Sequence, residues 1–269
     1  MRRELRLASW CAAAMLPLAT LAAPVSTQEF ADAVRTTPEV ERGAQLFETC
    51  AACHGVAGAG TEDGLAPRIA GQHFSVVVKQ LVDYRHGKRW DIRMEQIASS
   101  HHLPDAQSIA DVAAYVSRLD LPASPGIGSG EFVGHGSEVY GRLCQSCHGP
   151  AGEGNAERRV PQIAAQHYEY LLRQMHDAIE SRRPNFPRAH VRLFSGLVRD
   201  DLVGVADYLS RTMPSNARRR GPDDRWGSNV AHWCHAARSA LGSHLPVGSA
   251  PSVSAVSTSR SAVSQSSIS

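Results

Sequence analysis

Cys50-Ala-Ala-Cys53-His54-Gly55 and, 94 residues further on, Cys144-Gln-Ser-Cys147-His148-Gly149 are the stretches whose reading decides the fold. Residues at i, i+3 and i+4 of a helix share a face, so each stretch sets two thiols and an imidazole on one side of a helix end. Thiols so placed form thioethers with the two vinyl groups of a porphyrin, and the adjacent imidazole approaches the iron from the same side. Cys-x-x-Cys-His is the sequence sign of c-type haem attachment. A zinc site would need four ligands, and a redox dithiol of this spacing belongs beside a strand–helix unit. The two motifs therefore imply two covalently bound haem c groups. Cys50, Cys53, Cys144 and Cys147 supply the thioethers, and His54 and His148 supply an iron ligand each.

Working outward, the motifs belong to a longer internal repeat. An offset of 94 relates Pro67 to Pro161, Ile69 to Ile163, Gln72-His73 to Gln166-His167 and Gln80 to Gln174. An offset of 93 relates Ala114-Tyr115 to Asp207-Tyr208, Gly43 to Gly136 and Phe47 to Tyr140. Small insertions around a constant frame mark a duplicated domain. Each copy reads as three helices, near 39–53, 73–86 and 105–118 in the first and near 135–147, 167–180 and 199–211 in the second. Phe74, Val77, Val78 and Leu81, and then Ile109, Val112, Ala113 and Val116, carry the helical period. Strand signals are absent. The expected fold is all-α, with two tandem domains of about three main helices, each around a covalent haem. Gly43/Phe47 with Tyr115, and Gly136/Tyr140 with Tyr208, are expected to join first and last helices.

The domain limits follow: 1–23 a leader, 27–120 the first domain, 121–134 a Pro/Gly/Ser linker, 135–213 the second domain. Residues 214–269 form a Ser/Arg/Pro-rich tail read as disordered. The leader has Arg2, Arg3 and Arg6 ahead of an apolar run from Leu7 to Ala23, the pattern of a secretory signal. The run also approaches the lower length limit of a spanning helix, so an uncleaved anchor is the alternative. A signal would place the protein in the periplasm.

Residues 27–125 hold 9 basic and 13 acidic side chains, and residues 126–213 hold 10 of each. Nucleic-acid binding needs a concentrated basic face, and no segment offers one. Of the six cysteines, Cys11 lies in the leader, and Cys234, in Ala231-His-Trp-Cys-His235, lacks the partner of a third attachment site.

The string Pro67-Arg-Ile-Ala-Gly-Gln-His73, then Lys79-Gln-Leu-Val-Asp-Tyr-Arg85 and the Ala-Ala-Tyr helix, resembles the dihaem cytochrome c4 family over roughly residues 38–212. The resemblance implies tandem class I cytochrome c domains. It also implies a methionine on each iron from a loop ahead of the last helix, and a carbonyl from Pro67 and Pro161 against each proximal imidazole. Met94 holds the ligand place in the first half, with His101-His102 inserted before Leu103. The second half has no methionine there. Counting back from Leu197-Val-Arg-Asp-Asp-Leu202 by the family spacing lands on His190, which would give bis-histidine coordination and a lower potential. A five-coordinate iron, or another histidine, is the alternative. Arg68, Arg85, Arg89, Arg158 and Arg159 read as solvated surface residues within reach of haem propionates; His73 and His167 read as surface or packing residues.

These features point to one-electron transfer in the periplasm between respiratory donors and a terminal oxidase or reductase. Redox partners such as a membrane oxidase or a dehydrogenase, and peripheral membrane association, are compatible with that reading. The alternative is an oxidoreductase, or its haem subunit, acting on a sulfur oxyanion or peroxide at the atypical second haem. A gas sensor is a third class, and would need a labile sixth position.

Overall fold

A computed structural model describes residues 23–122 and 125–215. The expected leader before Ala23 and the tail beyond Ser215, with Cys11 and Cys234, lie outside the described residues. Among the described residues the chain is helical and carries no sheet, and no helix is long and apolar enough to cross a membrane.

The first half holds α1 (Val25–Arg35), α2 (Val40–His54), α3 (Phe74–Arg85), α4 (Ile92–Ile97) and α5 (Ala106–Arg118). The second holds α6 (Val133–Leu143), α7 (Gln145–His148), α8 (Tyr168–Ile179), α9 (Arg188–Ser195) and α10 (Arg199–Arg211). The three main helices of each half lie close to where the apolar period and the repeat put them. The sequence reading does not anticipate α1, which packs on α3 and α5 with Ala33 fully buried. Its Glu29 bridges Arg85 and His86, and the latter contact is 2.7 Å.

In each half the first helix crosses the last. Gly43 and Gly136 lie at these crossings because a side chain there would strike backbone: an added Cβ would sit 2.1 Å from the Asp111 carbonyl oxygen and 1.9 Å from that of Gly204. Phe47 meets Tyr115 at a ring separation of 5.1 Å and Tyr140 meets Tyr208 at 5.4 Å, the contacts expected from the repeat. The first core joins Phe47, Val78, Leu81, Val82, Ile109, Val112 and Val116; the second is thinner and rests on Val139, Tyr140, Leu171, Met175, Leu202, Val205 and Leu209. The helix leading into the first motif is unbroken, whereas its counterpart is interrupted at Cys144. Three glycines, 134, 136 and 141, lie in α6 against one in α2, and each weakens a helix by about 1 kcal/mol.

A near-symmetric clasp joins the halves. Gln166 accepts from the Arg68 amide (2.9 Å) and donates to the Arg68 carbonyl (2.8 Å). Gln72 does the same to Gln162, at 3.0 and 2.9 Å. His73 Nε2–H donates to the Glu153 carbonyl (2.8 Å) and His167 Nε2–H to the Ala59 carbonyl (2.7 Å). His73 and His167 are thus joint residues, not general surface. Much of the expected linker is strapped to the second half, with the Gly128 and Gly130 amides donating to Asp207.

Candidate haem sites

Both Cys-x-x-Cys-His motifs close a helix, and Gly55 and Gly149 then turn the chain away at φ 71° and 83°, a region open to glycine at no steric cost. Cys53 and Cys147 are exposed, while Cys50 and Cys144 face the core, where burial pushes each thiol up to about 11.

His54 is 5% exposed, and its Nδ1–H donates to the Pro67 carbonyl at 2.8 Å. His148 is 8% exposed and makes the same bond to Pro161 at 3.1 Å. Such a bond fixes the tautomer and leaves Nε2 as the ligating atom. Burial holds both imidazoles below their ordinary range, against the opposing pull of the carbonyl bonds. The neutral ring is the form that binds iron.

Met94 sits on α4, half-buried against the first core. The helix starts where it does because the Asp91 side chain accepts from the Arg93 amide at 3.0 Å and the Met94 amide at 3.4 Å. Burial opposes the charged carboxylate of Asp91, but its bonds to Arg93 prevail and hold it below the ordinary range. Loss of an N-cap costs about 0.5–2 kcal/mol. Asp91→Ala is therefore expected to lower the melting temperature of the first half, by about 4–8 °C for each kcal/mol lost in a domain of this size. An unchanged melting profile would count against a capping role for Asp91.

His190 is brought to His148. Their ring centroids are 6.0 Å apart and their planes lie at 84°. Two imidazoles on opposite sides of one metal, each bonded at about 2 Å, have centroids at roughly this separation. Phe186 and Phe194, four residues before and after His190, pack against its ring at 5.9 and 5.8 Å. His190 and Phe194 lie one turn apart on α9, and Phe186 lies just ahead of its Pro187 cap. Burial, and then the charge of Arg183, lower the His190 pKa. Met175 is in the core of the second half.

Of the arginines expected in solvent, Arg158 and Arg159 are exposed, and Arg159 lies over the Phe30 ring at 5.3 Å. Arg85 is instead spent on Glu29 and the Ala98 carbonyl, and Arg89 is buried against Gln80, Tyr170 and Gln174. Arg68 is only 4% exposed, and its guanidinium nitrogens have no hydrogen-bond partner among the described residues. Paired thiols, a carbonyl-held imidazole and an orphaned cation beside the motif loop fit a covalent porphyrin with its carboxylates.

Comparison with known proteins agrees. The sequence pattern described as Cytochrome c matches residues 40–120 and again 133–212. A cytochrome c4 of Thiocapsa roseopersicina is 31% identical over 170 residues, covering 60% of this chain and 85% of that protein. A "thiosulfate dehydrogenase electron acceptor" of Stutzerimonas stutzeri is 33% identical over 171 residues, covering 60% and 77%. The crystal structure of reduced recombinant cytochrome c4 from Pseudomonas stutzeri superimposes with a TM-score of 0.58 at 24% identity, over 66% of this chain and 100% of that one. With two haem-attachment motifs in two helical domains clasped in register, this chain belongs to the cytochrome c family and, within it, to the dihaem cytochrome c4 group.

Proposed function

We propose that this protein carries single electrons in the periplasm, between respiratory donors and a terminal oxidase or reductase. In this reading His54 and Met94 hold the first iron, and His148 and His190 hold the second. Bound haem supplies a reversible one-electron couple between ferric and ferrous iron.

The observation that carries the reading is that each motif histidine is held by a carbonyl, and that in the second half His190 lies 6.0 Å from His148. With Met94 and His190 as further ligands, a bound iron would have no position left for a substrate. The chain's own part is to hold those ligands still. The Pro67 and Pro161 carbonyls set the proximal rings. The Asp91 cap sets the turn bearing Met94, and Phe186 and Phe194 set His190. Imidazole favours ferric iron more than thioether does, so the second haem takes the lower potential. Redox proteins are the partners. A dehydrogenase of sulfur compounds is one donor class consistent with the relative named as such an enzyme's electron acceptor.

One observation favours a second reading, in which the second half would bind an anion on the arginines near its haem-attachment motif. A cavity of about 360 Å³ lies beside α9, lined by Arg183, Arg188 and Arg192 with Phe186 and Val191, and no acidic side chain lines it. A sulfur oxyanion suits that lining.

Low-temperature EPR with near-infrared magnetic circular dichroism of the oxidised protein separates the two readings. We expect one His/Met signature and one bis-histidine signature, the latter with the strong anisotropy of near-perpendicular rings. Two His/Met signatures would sink the assignment of His190. A high-spin second haem would favour the oxyanion reading.

A further inference from the structure

Arg68 is the least satisfied charge in the described structure. It follows Pro67, whose carbonyl holds His54, and its own amide and carbonyl are both gripped by Gln166 of the other half. The main chain at this point is therefore fixed on both sides. The side chain is 4% exposed, and Nε, Nη1 and Nη2 all lack a hydrogen-bond partner among the described residues. Arg89, also buried, and the partly buried Arg183 are treated differently. Arg89 and Arg183 have Gln80, Gln174, Tyr170 and Asn185 around them. Burying a charge without a partner costs several kcal/mol even after relaxation, and a guanidinium stays protonated in proteins. Burial alone draws its pKa down to about 10, which leaves it charged at neutral pH. A partner of opposite charge is required, and the planar fork of arginine matches a carboxylate.

We propose that the Arg68 guanidinium pairs with a propionate carboxylate of a bound haem at the joint between the two domains, and that this pair raises the potential of that haem. The inference rests on haem attachment at the two motifs, and is independent of which side chains fill the sixth positions. Neutralising a propionate removes a negative charge that favours ferric iron. The repeat makes the effect one-sided: the position 94 residues on is Gln162, whose backbone is gripped in the same way by Gln72 but which carries no charge.

The test is a spectroelectrochemical titration of the dihaem protein with Arg68→Gln, alongside resonance Raman spectra of the propionate bending modes. Haem stoichiometry is measured first, so that a lost haem is distinguished from a shifted one. The expected result is two haems retained, a shifted propionate band, and a fall in one potential. The fall should amount to at least about tenfold in that haem's reduction equilibrium, the scale of one close charge removed from a partly buried site. The haem whose potential falls owns the propionate. Arg68→Lys keeps the charge and is expected to restore most of the potential while the band stays shifted. It also serves as the test variant if Arg68→Gln fails to fold. Unchanged potentials and unchanged propionate bands in a folded variant would overturn the proposal.

Discussion

Serine at both Cys144 and Cys147 is expected to unfold the second domain while the first keeps its haem. The second half has the thinner core: its buried cluster has Tyr140 as the one aromatic residue, and its motif helix is broken at Cys144. A domain of about 80 residues stabilised by one small core has only a few kcal/mol to lose, and a covalent porphyrin supplies much of its apolar contact. The first half has the larger cluster, the additional packing of α1, and the Glu29 bridge to Arg85 and His86. Limited proteolysis and hydrogen exchange would locate the loss: rapid cleavage and exchange across residues 133–211, with protection kept across 40–118. A variant with one haem whose second half stays protected would show that the polypeptide core alone suffices.

The second large effect is expected from His190→Met. Exchanging imidazole for thioether should raise the potential of the second haem by more than about 60 mV, a tenfold change in a one-electron equilibrium. It should also replace the bis-histidine near-infrared signature with a His/Met one. Met is flexible and fills irregular space, and the site between Phe186 and Phe194 is apolar enough to receive it. The fold should therefore survive. The first haem serves as internal reference, because Met94 and its Asp91 cap are untouched. A second haem with unaltered potential and spectrum would remove His190 from the iron.

How much of this could be read from residues alone depended on whether the signal was local. The motifs, the main helices and the Gly43 and Gly136 crossings were legible, because a 3.6-residue period and a constant offset are written along the chain. His190 was legible only through the spacing of relatives, and its packing between Phe186 and Phe194 was written at i±4 but overlooked. The joint was not legible. Gln72-His73 and Gln166-His167 repeat visibly, yet their partners lie about 80–108 residues away, and nothing periodic links them. Arg68 was misread for the same reason: an arginine is a surface residue by default, and its burial appears only once Gln166 has docked on its backbone. The separate helix α1 was missed because it falls outside the repeat.

The way the joint is made has a consequence for tolerance to change. Gln72 and Gln166 grip main-chain amide and carbonyl groups, which every residue except proline offers. The side chains at 68 and 162 are therefore uncoupled from the strength of the clasp, and the two halves can diverge in charge there without losing alignment. A fastening indifferent to side-chain identity lets one half of a duplicated protein be retuned while the other stays as it was.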